Sequence, residues 1–334
     1  MRDRAVVLIA DRRTGTAPPT LASTDFELVE DEYYREVCDA LEAIDTRVVH
    51  YQSLSTFMDN VGKHEHDVVL PLWAGQHSRS RKGLVPAICE AYNVAYVGAD
   101  AYTSIISQDK HLSRALLQDC GLKTAPGWLA TNRADLAALG KTAYPAVLKP
   151  NFEGGSIGIS QDCLVDNSDA ARRMIERLWT AHEQPVLVEE FVPGREVSIV
   201  IAQTPRKELV EAVELNVGGI SLRDTIWSFE LKQTDQALVW SAMTRDLAAE
   251  DLQRARAVFH RLGRAELLRI DGRLQGSSFT AIELSPDVHL GTNSSVAQAF
   301  HEAGYTYPEM FSALLERAAA VHRPRPEDNA LIDR

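Results

Sequence analysis

The chain has 334 residues, of which 45% are hydrophobic and 25% charged, and it carries a formal net charge of −12. This is soluble, globular composition, long enough for two or three domains. The acidic balance argues against a nucleic-acid partner while leaving room for a local basic pocket that binds an anion. No apolar run approaches membrane-spanning length, and residues 4–10 are too short for a signal h-region. Cys38, Cys89, Cys120 and Cys163 are widely spaced with no C-x-x-C pair, as expected for reduced thiols in a cytosolic protein.

In chain order, residues 6–10 read as a buried strand and 11–23 as a loop rich in Gly, Pro and Thr. Helical spacing follows over 31–43, strands over 47–51 and 67–71, a helix over 83–92 and a short strand over 95–98. This alternation predicts a parallel α/β sheet. Ligands of such sheets sit beyond the carboxyl ends of the strands, where the loops 11–23 and 73–82 fall. Residues 103–120 predict one helix, closed by Gly121 at C′. Lys110 lies near its middle, and a single helical lysine taken alone reads as a solvated charge.

Residues 144–159 organise the rest. An apolar β run ends in Lys149 and is followed by a turn containing Gly154, Gly155, Ser156 and Gly158. Glycine lets backbone N–H groups approach an anion, and an adjacent lysine adds a point charge, so the stretch suits a polyphosphate. It is not a P-loop, because the lysine precedes the glycines. A glycine-rich hairpin turn is the plainer alternative. After a helix over 169–178, residues 185–200 read as a strand through Glu189, Glu190 and Val192, a Pro193-Gly194 turn, and a second strand from Glu196. A strand edge suits an adenine ring, and a carboxylate beyond it suits ribose hydroxyls.

A long irregular section precedes Phe229-Glu-Leu-Lys232, and residues 247–262 form an amphipathic helix. Two strands follow, at 267–273 and 279–286. Period-2 alternation puts Arg269 and Asp271 on one face, with Glu283 able to face Asp271 across an antiparallel pair. Two carboxylates meeting there suit Mg²⁺, completed by nucleotide phosphates and water. A charged solvent face is the alternative.

Together these residues resemble the ATP-grasp superfamily, and more closely the D-alanine–D-alanine ligases. The resemblance runs from about residue 68 to 318. It rests on Gln108-Asp-Lys110, Val147-Leu-Lys-Pro150 with Glu153-Gly-Gly-Ser-Ile-Gly158, Val188-Glu-Glu-Phe-Val192 with Pro193-Gly-Arg-Glu196, Phe229-Glu-Leu-Lys232, Arg269-Ile-Asp271, Ile282-Glu283 and Ala303-Gly-Tyr305. It implies an ATP-grasp fold: an N-terminal parallel α/β domain (1–105), a central ATP-clamping α+β subdomain with the lid loop (106–194), a C-terminal α+β catalytic domain (195–322) and a flexible tail (323–334). It implies ATP and Mg²⁺, with Mn²⁺ as an alternative metal. Lys110 and Lys149 would hold the ATP phosphates under a lid at Ser156. Glu189, Glu190 and Val192 would hold adenine, Glu196 the ribose, and Lys232 the terminal phosphate. Asp271 and Glu283 would bind metal, Arg269 would stabilise the oxyanion, and Ser294 and Ser295 would grip an amino-acid carboxylate.

The departures fall mainly on the first-substrate side. The family's Glu-x-Asn is Glu283-Leu-Ser285, leaving Ser285 as a weaker metal ligand. Gln233 replaces a loop tyrosine, and His289 replaces a glycine of the oxyanion hole. The family's glycine-rich segment with a glutamate near the N-terminus is missing. Its acidic first-domain loop is replaced by a basic segment, in which one of Arg79, Arg81 and Lys82, Arg79 or Arg81 first, would take an anionic part of the first substrate; a solvated surface cluster is the alternative. Three functions stand open. The first is an ATP-dependent carboxylate–amine ligase acting through an acylphosphate on an amino acid or small peptide of a specialised pathway. The others are a D-alanine–D-alanine ligase of cell-wall synthesis and a non-catalytic nucleotide-binding protein. The expected partners are amino-acid-like small molecules, with no nucleic acid and no membrane. Oligomeric state, including a homodimer, is left open.

Overall fold

The structure is a computed structural model that describes residues 4–13, 27–75, 78–232 and 237–322. Most of the loop read over 11–23, together with Gln76, His77, Gln233 and the tail, lies outside the described residues. The first sheet contains β1 (Val6–Ile9), β2 (Val48–Tyr51), β3 (Val68–Pro71) and β4 (Ala95–Tyr96) in the order β2-β1-β3-β4, all parallel. Helices α1 (Asp31–Ala43), α2 (Leu54–Met58) and α3 (Leu84–Ala91) belong to this unit. Val6 and Leu8 join one core with α1, while Val7 and Ile9 join another with α3. A strand covered on both faces has no polar side to show, so β1 is an unbroken apolar run.

Where the sequence predicts one helix over 103–120 there are two, α4 (Ala101–Gln108) and α5 (Lys110–Asp119). Asp109 between them has φ −86° and ψ 98°, and its carboxylate accepts the Leu112 N–H, capping α5. Aspartate competes for backbone N–H groups and so favours helix starts over interiors. Asn151, fully buried at the end of the β run that carries Lys149, holds the break. Its Oδ1 accepts from His111 N (3.0 Å), its Nδ2 donates to Asp109 Oδ1 (2.8 Å), and its carbonyl accepts from Lys110 N (3.1 Å). Lys110 thus begins a helix and is 4% exposed, which corrects its reading as a solvated charge in mid-helix.

The second sheet contains β5 (Gly127–Ala130), β6 (Ala146–Pro150), β7 (Leu164–Val165) and β8 (Val186–Glu190), antiparallel, in the order β5-β8-β6-β7. Helix α6 (Ser168–His182), capped by Asn167, covers one face through Ala171, Ile175 and Leu178 against Ala146, Leu148, Val186 and Val188. The alternate residues Lys149 and Glu189 line the open face.

Pro193-Gly194 carries the chain directly into the third sheet. This contains β9 (Arg195–Gln203), β10 (Glu208–Val217), β11 (Ile220–Ser221), β12 (Leu238–Ala242), β13 (Leu267–Gln275) and β14 (Ser278–Ser285). Its order is β11-β10-β9-β13-β14, with β12 on β10. The section read as irregular before Phe229 therefore contains the ten-residue β10. Its three glutamates hide the strand pattern, and Glu214 is offset by Arg195 at 3.4 Å. The helices here are α7 (Phe229–Lys232), α8 (Ala249–Leu262), α9 (Ser295–Glu302) and α10 (Tyr307–Val321). Leu268 and Ile270 of β13 pack toward α8, so Arg269 and Asp271 take the other face. Helix α10, read with the third unit, packs against α1, β3 and β4, placing Met310, Phe311 and Leu314 in one core with Val6 and Leu8. Among the described residues no helix is long and apolar enough to cross a membrane, and the four cysteines are free.

Candidate active site

The open faces of the second and third sheets and the carboxyl end of β3 enclose a cavity of ≈ 590 Å³. On the second sheet, Val147 pairs with Glu189 and Lys149 with Leu187. Lys149 therefore reaches Glu189 diagonally, with Nζ 2.6 Å from Oε2, and both side chains are nearly fully buried. Lys110 reaches in from the head of α5, with Nζ 2.7 Å from Glu283 Oε1, and donates to the Glu153 carbonyl.

On the third sheet, Asp271 stands directly opposite Glu283 in the β13–β14 register, as read from the alternation. Arg269 holds Asp271 in a fork (Nε–Oδ1 2.8 Å, Nη2–Oδ2 2.8 Å), and Ser198 Oγ donates to Asp271 Oδ1 at 2.6 Å. Burial pushes the Glu283 carboxyl up, but Lys110, Lys149 and Arg269 outweigh it and bring it down to about 2. Burial, joined by Arg269, pushes Lys232 down to about 8 against the pull of Glu283, Glu27 and Asp271. Glu196 is held above the usual carboxyl range, chiefly by burial, although Arg273 Nη2 lies 2.8 Å from its Oε2. Ser156 Oγ donates to the Trp227 carbonyl (3.0 Å), tying the glycine turn to the segment before α7. Ser294 caps α9, accepting from Ala297 N (3.1 Å). The neighbouring Ser295 hydroxyl is buried with no hydrogen-bond partner among the described residues.

Every site residue read from the sequence lines this cavity, Glu190, Val192 and Ser285 included, except Arg79 and Arg81. Arg81 is 5% exposed, and its Nη2 lies 3.1 Å from Glu27 Oε2 and 2.9 Å from Glu153 Oε2. Arg79 stands over the Phe152 ring, 5.7 Å from its centre. Lys82 does line the cavity, with Nζ 2.6 Å from Asp287 Oδ2 and 3.5 Å from Glu27 Oε2. Arg81 and Lys82 are thus answered by carboxylates of the chain itself, and Arg79 packs on Phe152 away from the cavity, which corrects the expectation that Arg79 or Arg81 faces a substrate anion. A glutamate from the first unit does enter the site. Glu27 folds over the glycine turn so closely that a Cβ on Gly154 would lie 2.2 Å from its Oε1. No local pattern marks Glu27. The available signal was three cations within 79–82, a crowding that requires nearby counter-charges.

A family model described as "D-ala D-ala ligase C-terminus" matches residues 117–316, more than half of the chain. The chain belongs to this family. This ATP-grasp ligase is an ADP-forming enzyme that makes carbon–nitrogen bonds. It is 29% identical over 273 residues to a D-alanine–D-alanine ligase of Corynebacterium aurimucosum, covering 78% of this chain and 74% of the relative. It is 27% identical over 262 residues to D-alanine–D-alanine ligase A of Chromobacterium violaceum, covering 75% and 69%. Among solved structures, the D-alanine–D-alanine ligase of Bacillus anthracis complexed with ATP superposes with a TM-score of 0.72 at 16% identity, covering 96% of this chain and 98% of that one. The VanG D-Ala:D-Ser ligase of Enterococcus faecalis gives 0.69 at 17% identity, covering 94% and 99%. At such identities these two establish the fold.

The ligase's β13–β14 wall suits a hard divalent cation. Among the described residues no group of three or more His, Cys, Asp or Glu side chains forms a closed metal cage. Two carboxylates in register, with the Ser285 hydroxyl also on the cavity wall, leave positions for phosphate oxygens and water, the donor set Mg²⁺ prefers.

Proposed function

We propose that the protein is a D-alanine–D-alanine ligase-type enzyme that joins two small D-amino acids at the cost of ATP. Of the three readings of the sequence, its likeness to curated D-alanine–D-alanine ligases favours this one over a ligase of a specialised pathway. The observation that carries the chemistry is the convergence of Arg269, Asp271 and Glu283 from β13–β14 with Lys110 and Lys149 on one cavity. Lys110 and Lys149 hold the phosphates, Lys232 the terminal one, and Ser156 closes the turn over them. The edge Glu189–Val192 takes adenine and Glu196 the ribose. A carboxylate oxygen of the first amino acid attacks the γ-phosphorus as the bond to ADP breaks, giving an acylphosphate. The amine of the second attacks the acyl carbon, loses a proton, and inorganic phosphate leaves.

Asp271 and Glu283, with Ser285 as a weaker third, would hold Mg²⁺, which neutralises charge on the phosphates. Arg269 meets the developing oxyanion, an interaction worth roughly 3–4 kcal/mol for one preorganised donor. Ser294 and Ser295, at the start of α9, suit the carboxylate of the incoming amino acid. A closed lid excludes water, which would hydrolyse the acylphosphate. A ligase of another small amino acid is the second reading, favoured by Lys82 in the cavity wall. The test incubates the enzyme with ATP, Mg²⁺ and D-alanine, follows ADP, and looks for D-alanyl-D-alanine by mass spectrometry. Turnover on the order of 10 s⁻¹ is ordinary for an enzyme. ADP release only with a different amino acid would move the assignment to the second reading.

A further inference from the structure

His289 has one occupied edge and one open one. Its ring is stacked on Tyr33 of α1, with centroids 3.9 Å apart and planes tilted by 33°. Gly291 N–H donates to its Nδ1 at 3.2 Å. A nitrogen that accepts a backbone N–H carries a lone pair, so the ring proton is on Nε2. Gly291 makes this possible, because a Cβ there would lie 2.3 Å from His289 Cε1. The turn is held from the first unit by Tyr33, whose hydroxyl accepts Leu290 N–H (3.0 Å). Glu36 adds to this by accepting both the Thr292 N–H (3.0 Å) and its hydroxyl (2.6 Å).

The side chain opens onto the cavity, and Nε2 has no hydrogen-bond partner among the described residues. His289 is exposed to the open cleft, yet the walls around it, with Arg269 and Lys232 nearby, outweigh Glu36 and hold the imidazole below its ordinary range, so it is neutral at physiological pH. Neutrality is useful in this place. Arg269 and Lys232 already bring two positive charges, and a third would repel both. A neutral N–H adds direction without charge.

We propose that His289 is a substrate-positioning residue, whose Nε2–H donates a hydrogen bond to a carboxylate or carbonyl oxygen of the amino-acid substrate beside Arg269. This rests on the ligase reading above. Because the donor is anchored to α1, it couples the substrate's placement to the first unit, while its ring occupies space that a larger substrate group would need.

The kinetic test compares wild type, His289→Ala and His289→Gln, using whichever amino acid gives the fastest ADP release with wild type. His289→Ala is expected to raise KM for the amino acid and lower kcat/KM about ten- to a hundredfold, while KM for ATP stays within about twofold. His289→Gln, whose amide nitrogen reaches about as far as Nε2, should restore most of the loss. A purely structural role predicts equal damage in both variants. That result, or an alanine variant within about twofold of wild type, overturns the proposal.

A second measurement does not depend on turnover. ¹⁵N-imidazole NMR of the wild-type enzyme should show the neutral Nε2–H form. Its proton should become protected when D-alanine is added with a non-hydrolysable ATP analogue. A proton on Nδ1, or no response to the amino acid, overturns the inference. Failure of every amino acid to release ADP would sink the ligase reading instead, leaving the NMR result to decide the role of His289.

Discussion

Replacing Asn151 by alanine should damage ATP use although its side chain touches none of the side chains assigned to the reaction. Its side chain makes two hydrogen bonds, to His111 N at 3.0 Å and to Asp109 Oδ1 at 2.8 Å, from a fully buried position. Their loss removes about 1 kcal/mol each, and a buried N–H left without a partner adds roughly 1–2 more, so the variant should lose about 2–4 kcal/mol of stability. The break at Asp109 is also what turns Lys110 inward. Once it loosens, the Lys110 ammonium should drift from the phosphate wall. A charge-assisted contact of this kind contributes about 1.5–3 kcal/mol, so kcat/KM for ATP should fall roughly ten- to a hundredfold. Urea unfolding followed by circular dichroism reads the first effect, and coupled ADP release the second. Asn151→Asp keeps the acceptor but sets a carboxylate against Asp109, and should be no better. An alanine variant that unfolds at the wild-type urea concentration and keeps kcat/KM for ATP within about twofold would refute the link between the helix break and the site.

Glu283→Gln should abolish ADP formation, and unchanged turnover would remove Glu283 from the metal assignment. Because the folded Glu283 carboxyl lies near 2 against an ordinary 4.5, its contribution to stability is full above about 4.5 and is lost as pH falls toward 2. Acid titrations of the same variant should therefore show a flatter decline than wild type. Arg81→Ala should act on stability rather than on one substrate's KM. It removes the nearest cation from the Glu27 and Glu153 carboxylates, leaving Glu27 only Lys82 at 3.5 Å, and breaking a buried pair costs about 3–5 kcal/mol. A wild-type melting temperature with an isolated KM defect would contradict this. Lys232, at about 8 in the free enzyme, loses its charge as pH rises through that value, so kcat/KM for ATP should fall above about pH 8. Lys232→Arg should move the fall to higher pH, and an unmoved limb would assign the titration to another group.

What could be read from the sequence was what obeys a local period. Alternation in β13 and β14 put Asp271 opposite Glu283, and the apolar run before Lys149 located one wall of the cavity. Helix α1 has the expected bounds. What could not be read depends on partners distant in the chain. The break at Asp109 needs Asn151, 42 residues away, so 103–120 reads as one periodic helix. Strand β10 is masked by glutamates whose counter-charges lie on other elements. Arg81 looks like a surface cation because Glu27 and Glu153 reach it only through tertiary contacts, 54 and 72 residues away along the chain. Glu27 itself stands in no recognisable motif, and its place over Gly154 follows from the packing of the first unit against the glycine turn.

The docking of α10 on the first sheet has a consequence for biosynthesis. The first of the described strands to be translated, β1, shares its core with Met310, Phe311 and Leu314, among the last residues described. Domains usually mature in the order in which they are made, but here the part of the first sheet's apolar face that α1 does not cover stays open until some three hundred further residues have been translated. The nascent first unit must therefore wait, exposed, while the two ATP-clamping sheets assemble. Premature termination anywhere before α10 leaves that face open. Such a product should be captured by chaperones or degraded rather than accumulate as a partial enzyme able to bind and waste ATP.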